Sequence, residues 1–248
     1  APSVTTLSYS SNSSNLATMA KVDDVITVSI VGSEILQTPE LTVSGNAVTD
    51  EAAGGTNAIW TGTYTMQNTD SDGLIGLSLD YKDYAGNSGV TSSATSDGSQ
   101  VTFDRTVPTI TTATLASNNT YSNRRAKVGD VVTLTIVASE NIIDPPTVTM
   151  GTTGNMSAVT PSGAGTNWSV AYTVQDGDAE ENLRFTFDFS DLAANAGTRI
   201  TSTTDSNPVA VDKTATDLTT IAVDLNPGSD SGVSDRDDLT NDTTPTFN

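Results

Sequence analysis

The feature that most narrows the fold is an internal repeat. Residues 20–34, "AKVDDVITVSIVGSE", return as "AKVGDVVTLTIVASE" at 126–140, an offset of 106 (126 minus 20). Further along, "WTGTYTM" at 60–66 matches "WSVAYTV" at 168–174, and "LDYKDYAGNSG" at 79–89 matches "FDFSDLAANAG" at 187–197, both at an offset of 108 (168 minus 60). A two-residue insertion between the first match and the second accounts for the change. At the same offset "VTFDRTVPT" (101–109) maps onto "VAVDKTATD" (209–217), closing one copy and opening the next. This period is far longer than the ~20–50 residues of solenoid or propeller repeats, so each copy should carry its own core. The chain therefore divides into units 1–106 and 107–214, with 215–248 as the start of a third, incomplete one.

Within a unit, apolar residues alternate with polar ones at period two, the signature of half-buried strands. Ile26, Val28 and Ile30 share one face, as do Val132, Leu134 and Ile136 in the second copy. Trp60, Tyr64 and Met66 keep the same parity, and so do Leu77, Leu79 and Tyr81 with their counterparts Phe185, Phe187 and Phe189. Turn-forming stretches such as Asp70-Ser71-Asp72-Gly73 and Asp176-Gly177-Asp178 separate these stripes. No segment sustains a helical apolar period, so the expected class is all-β, with tandem antiparallel β-sandwiches. The parity also places Trp60 and Trp168 in the cores rather than on sugar-stacking surfaces.

Composition then removes most catalytic chemistry. The chain has no cysteine and no histidine, so disulfides, thiolate nucleophiles, zinc fingers and histidine-based triads are all excluded. Its 30 acidic residues against 10 basic ones give a formal net charge of −20, which repels nucleic-acid backbones and anionic lipid. The natural counterions of such a surface are hard divalent cations that prefer oxygen ligands. No run approaches the ~20 apolar residues of a membrane-spanning helix. Because the chain opens at Ala1-Pro2 without a methionine, it is expected to be a piece of something longer.

The motifs carry a resemblance. "KVGD" before a strand, "SE" at its end, "D-x-A-G-N" after a later strand and "FDRT" or "VDKT" at the join resemble the tandem bacterial immunoglobulin-like repeats of large surface proteins. "DLTNDTTPTF" in the third unit is similar to the start of another such repeat in giant repetitive adhesins. The resemblance implies immunoglobulin-like sandwiches on an exported, cell-surface protein. It leaves function open, since such repeats occur in adhesin stalks, surface-layer proteins and accessory modules of secreted enzymes.

The repeated acids are Glu34, Asp80, Asp83 and Asp104, matched by Glu140, Asp188, Asp191 and Asp212. Asp80 and Asp188 alternate with inward-pointing residues and are expected on the solvent face. The others, with the amides of Asn87 and Asn195, have two readings. In one, Glu34, Asp83, Asn87 and Asp104, and likewise Glu140, Asp191, Asn195 and Asp212, supply oxygen ligands for Ca²⁺ at the ends of the sandwiches. In the other, Asp83 and Asp191 only form Asx-turns, with Asn87 and Asn195 in the left-handed conformation that asparagine tolerates. Asp230, Asp235, Asp237, Asp238 and Asp242 crowd into thirteen residues of the third unit without the EF-hand order, a second place for calcium. Glycosidases also use paired carboxylates. Acids that recur identically in both units fit a structural device better than a unique catalytic pair.

The function expected is therefore non-enzymatic. The chain is read as a stalk or spacer of an extracellular microbial surface protein or adhesin, stiffened by calcium at the joins, with further repeats of the same chain as its neighbours. The competing readings are a surface-layer lattice protein that self-assembles laterally, and a carbohydrate-binding accessory module that takes a cell-surface glycan or protein.

Overall fold

The computed structural model describes residues 1–48, 50–54, 58–143, 145–215 and 244. Among them there is no α-helix. The first ten strands are β1 (Val4–Ser11), β2 (Met19–Ala20), β3 (Val25–Gly32), β4 (Glu40–Val43), β5 (Asn46–Ala47), β6 (Asp50–Gly54), β7 (Ile59–Thr65), β8 (Gly73–Leu74), β9 (Leu77–Asp80) and β10 (Thr102–Phe103). The next nine are β11 (Ile110–Ser117), β12 (Arg125–Ala126), β13 (Val131–Ala138), β14 (Thr147–Gly151), β15 (Ser157–Val159), β16 (Ser162–Ala164), β17 (Asn167–Thr173), β18 (Arg184–Asp188) and β19 (Ala210–Val211).

In the first set, one sheet has the order β1-β3-β7-β6, faced by β5-β4-β9 and by β2-β10-β8. The second set repeats this as β11-β13-β17-β16 against β15-β14-β18 and β12-β19. Neighbours pair antiparallel, except that β10 runs parallel to β2 and β19 parallel to β12. Naming the second set's main strands A, B, C, D, E and F in chain order gives one sheet A-B-E-D and a facing sheet led by C and F. This is the immunoglobulin-like arrangement.

The period-two stripes explain why these segments pair. Ile26, Val28 and Ile30 are fully buried, as are Val132, Leu134 and Ile136. They pack on Leu41, Val43, Leu77 and Leu79 of the opposite sheet in the first core, and on Val148, Met150, Phe185 and Phe187 in the second. Burying one such side chain contributes about 1.5–3 kcal/mol. Trp60 and Trp168 lie in their cores at 7% and 2% exposure, as their parity predicts. Two separate cores therefore form, although Ala1–Asp212 is a single compact unit.

Two local details matter for the site. Where a single two-residue insertion is expected, the register shows two separate steps: Leu41 faces Leu79 as Val148 faces Phe187, so the offset at β4/β14 is already 107 (148 minus 41). One extra residue precedes β14 and the other follows it. In addition, Gly89 and Gly197 lie flat on aromatic rings, where a Cβ would fall 2.1 Å from Tyr81 and 2.2 Å from Phe189. Only glycine lets the loop close over the ring.

The expected third unit, apart from residues 215 and 244, and with it Asp230, Asp235, Asp237, Asp238 and Asp242, lies outside the described residues.

Candidate metal centre

Three acids from distant parts of the sequence converge where the first sandwich hands over to the second. Carboxylate oxygens of Asp104, Glu140 and Asp191 lie within 4.8 Å of one another. Each is held by its backbone. Asp104 follows β10, donates its N–H to the Ala20 carbonyl (2.8 Å) and accepts the Thr106 N–H on Oδ1 (2.9 Å). Glu140 stands two residues beyond β13, beside Ser139, whose N–H reaches the Thr109 carbonyl (2.8 Å) and whose Oγ accepts the Thr109 N–H (2.9 Å). Asp191 opens the loop after β18 and bridges to Ile142.

Asn195 fixes that loop. Its N–H donates to Asp191 Oδ1 and its Nδ2 to Oδ2, both at 2.8 Å. The same Nδ2 also donates to the Asp104 carbonyl (2.9 Å), and Asn15 Nδ2 of the first sandwich reaches the Asp191 carbonyl (3.4 Å). Two hydrogen bonds thus cross the join beside the acids. The Asx-turn reading holds for both loops, but the left-handed residue is one place earlier than expected, Gly86 (φ 86°) and Ala194 (φ 72°). Asn87 and Asn195 keep ordinary φ, because their side chains must turn back onto the aspartate that opens the loop.

The electrostatics are those of a site short of positive charge. Burial pushes the Glu140 carboxyl above its ordinary range, and Asp104 and Asp191 add to the shift. Burial also raises Asp191, outweighing the hydrogen bonds from Asn195, with Asp104 adding to the rise. Among the described residues no ion pair involves any of the three; Arg105, next to Asp104, turns away to Asp72.

The donors fit a hard cation. They are all oxygens in a chain without histidine or cysteine, which excludes the nitrogen and sulfur sets that zinc prefers. They come from three separate segments of the chain, and carboxylate oxygens are the ligands that hard divalent cations take.

The remaining sequence candidates fall elsewhere. Glu34 is exposed, and among the described residues no third acid gathers around Glu34 and Asp83. Asp83 is enclosed by its own loop, where Asn87 donates through N–H (2.8 Å) and Nδ2 (2.7 Å) and holds the carboxyl below its ordinary range. Asp212 is exposed after β19, with its N–H on the Ala126 carbonyl (2.9 Å), repeating the backbone placement of Asp104. Asp80 is on the solvent face as expected, and Asp188 is paired there with Arg199 (2.6 Å).

Two acids that the sequence presented only as turn residues prove to be structural hubs. Asp178, 1% exposed, accepts from Thr152 Oγ1 (3.0 Å), Asn155 Nδ2 (2.8 Å), Tyr172 Oη (2.8 and 2.9 Å) and the Gln175 N–H (2.7 Å). Burial opposes its charge, but these bonds outweigh burial and hold it below its ordinary range. Asp70 is its counterpart, accepting from Asn46, Tyr64 and Gln67. The signal was a tyrosine six residues before each aspartate.

No protein-family model matches the chain, and neither does any curated protein. Among solved structures it is similar to one described as a Ca²⁺-stabilised adhesin that helps an Antarctic bacterium reach out and bind ice, at 19% identity and TM-score 0.46, over 91% of this chain and 53% of that one. It is also similar to Rst D1-D2 (12% identity, 84% and 100% covered, TM-score 0.34) and to the I9-I11 tandem of titin (12%, 86% and 66%, 0.33). The chain spans about half the length of the adhesin structure.

Proposed function

We propose that this chain is a non-enzymatic stalk segment of an extracellular microbial surface protein, an adhesin by preference, whose sandwiches are locked end to end by calcium. The reading rests on the convergence of Asp104, Glu140 and Asp191 at the join. Three carboxylates brought together without a cationic side chain repel one another, and a divalent ion turns that repulsion into a clamp. Asp104 supplies its acid from the exit of one sandwich, while Glu140 and Asp191 supply theirs from the pole of the next, so an ion held by all three resists bending between them.

The repeat extends the scheme. Glu34, Asp83 and Asn87 would form the receiving half for a preceding repeat, and Asp212 the contributing acid for the one that follows. The units are then 1–106, 107–214 and 215–248. Among the described residues no helix is long and apolar enough to cross a membrane.

The test is small-angle scattering and thermal unfolding of the chain in calcium and in chelator, with Glu140→Gln alongside. Calcium should lengthen the particle and raise its melting temperature, and the variant should lose both responses. Identical dimensions and melting in the two buffers would refute the reading.

A further inference from the structure

The two copies diverge on the outer face of the sheet that carries β4 and β9. In the second sandwich Thr147 faces Asp188 across the strands, and Arg199 neutralises that aspartate at 2.6 Å. In the first, Glu40 faces Asp80, and Thr91 stands in place of the arginine, its hydroxyl donating to Asp80. Like charges directly opposite each other in an antiparallel pair destabilise it. The flanking positions change in concert: Gln37, Lys82 and Ser88 stand where the second copy has Ile143, Ser190 and Ala196. Together Gln37, Glu40, Asp80, Lys82 and Ser88 line a cleft of about 280 Å³, with Tyr81 and Gly89 also in its wall.

A fold that needs only one neutral or ion-paired face here, as the second copy demonstrates, has in the first copy exchanged it for uncompensated polarity around a cavity. The lining restricts what can enter. An anion is repelled by Glu40, Asp80 and the net charge of −20, and a bare cation meets the Lys82 ammonium. An extended apolar molecule finds walls that are mostly polar, with only Tyr81 and Gly89 to meet it. A neutral group bearing several hydroxyls satisfies all of them, donating to the two carboxylates and accepting from the ammonium. At about 280 Å³ the cleft is just below the ~300–1,000 Å³ of pockets for drug-sized ligands, which suits one ring rather than a length of polymer.

We propose that the cleft between β4 and β9 binds a neutral sugar residue of a glycan, giving the first sandwich a weak adhesive function that the second lacks. The site is independent of the cation join and does not share its residues.

The test is affinity electrophoresis of the whole chain, in calcium, through gels containing dextran, mannan or galactan, followed by saturation-transfer NMR with the methyl glycosides of glucose, mannose and galactose. At least one polysaccharide should retard the chain. Asp80→Asn and Glu40→Gln should each weaken the retardation at least tenfold, while Asp188→Asn leaves it unchanged. Both cleft acids are exposed and mutually repulsive, so neither variant should lower the melting temperature; if one does, the other carries the comparison. Absence of retardation by all three polysaccharides, or retardation that survives both variants, overturns the proposal. So does terbium luminescence that Asp80→Asn abolishes, since the cleft would then be a cation site.

Discussion

The loops Asp83–Asn87 and Asp191–Asn195 are nearly the same object in two settings. Both fold an asparagine back onto both oxygens of an aspartate, and both place a left-handed residue just before that asparagine. The Asp83 carbonyl is satisfied inside its own sandwich by Gln37 Nε2 (2.8 Å), whereas the Asp191 carbonyl is reached by Asn15 from the preceding one. Hydrogen bonding lowers Asp83, while burial beside Asp104 raises Asp191. The motif therefore does not set the titration of its acid. What packs over the loop does, since desolvation grows with depth while the local hydrogen bonds stay the same.

Calcium should separate the two loops most strongly. At a calcium concentration a hundredfold above Kd, a single site stabilises by about 2.7 kcal/mol. Asp191→Asn should lose most of the calcium-induced rise in melting temperature measured by calorimetry, and Asp83→Asn should keep it. Equal losses would show that the two loops bind alike and break the contrast.

Acid should separate them next, and with opposite signs. A raised pKa means that Glu140 and Asp191 subtract stability when charged, so lowering the pH through their raised values toward the ordinary carboxylate range relieves that cost. A lowered pKa means that Asp83 contributes stability above the ordinary range and loses it as pH falls through its depressed value. In chelator, melting should therefore rise modestly as the pH falls toward the ordinary carboxylate range near 4, and fall again as the pH drops below that range. Glu140→Gln should flatten the rise, and Asp83→Asn should soften the fall. By the same competition, calcium should bind more weakly at pH 5 than at pH 7.

The smallest effect concerns the left-handed position. Non-glycine residues there cost roughly 1–2 kcal/mol, partly offset by glycine's greater freedom when unfolded. Gly86→Ala should destabilise by about 1 kcal/mol in urea unfolding, and Ala194→Gly should stabilise by somewhat less. If Ala194→Gly destabilises instead, the alanine methyl makes a contact at the join that outweighs its strain.

The strands and the cores were legible because each depends on local periodicity. Trp60 and Trp168 are buried for the reason their parity gave. The membership of the acidic cluster was legible only as a pool of candidates. Glu140 and Asp191 are brought together by pairing across the facing sheets, and which acid joins them depends on where the preceding sandwich ends. Asp70 and Asp178 looked like turn residues because sequence shows the aspartate and hides its acceptor role, which Tyr64, Tyr172, Asn46 and Asn155 complete from other segments of the chain. The left-handed residue was placed one position late because asparagine's tolerance for that conformation was weighed above its need to aim an amide.

The parallel pairing of β10 with β2, and of β19 with β12, has a further consequence. Thr102 and Asp104 donate to the Thr18 and Ala20 carbonyls, and Ala210 and Asp212 donate to those of Arg124 and Ala126. Tension applied to the two ends of a sandwich draws such strands past each other, so these bonds are loaded in shear and must yield together rather than peel one at a time. Asp104 is the last link of the first such patch and, through its carboxylate, a member of the cluster at the join. A pull transmitted from the second sandwich meets the first at the residue where its shear patch ends, and whatever steadies that carboxylate also steadies the patch.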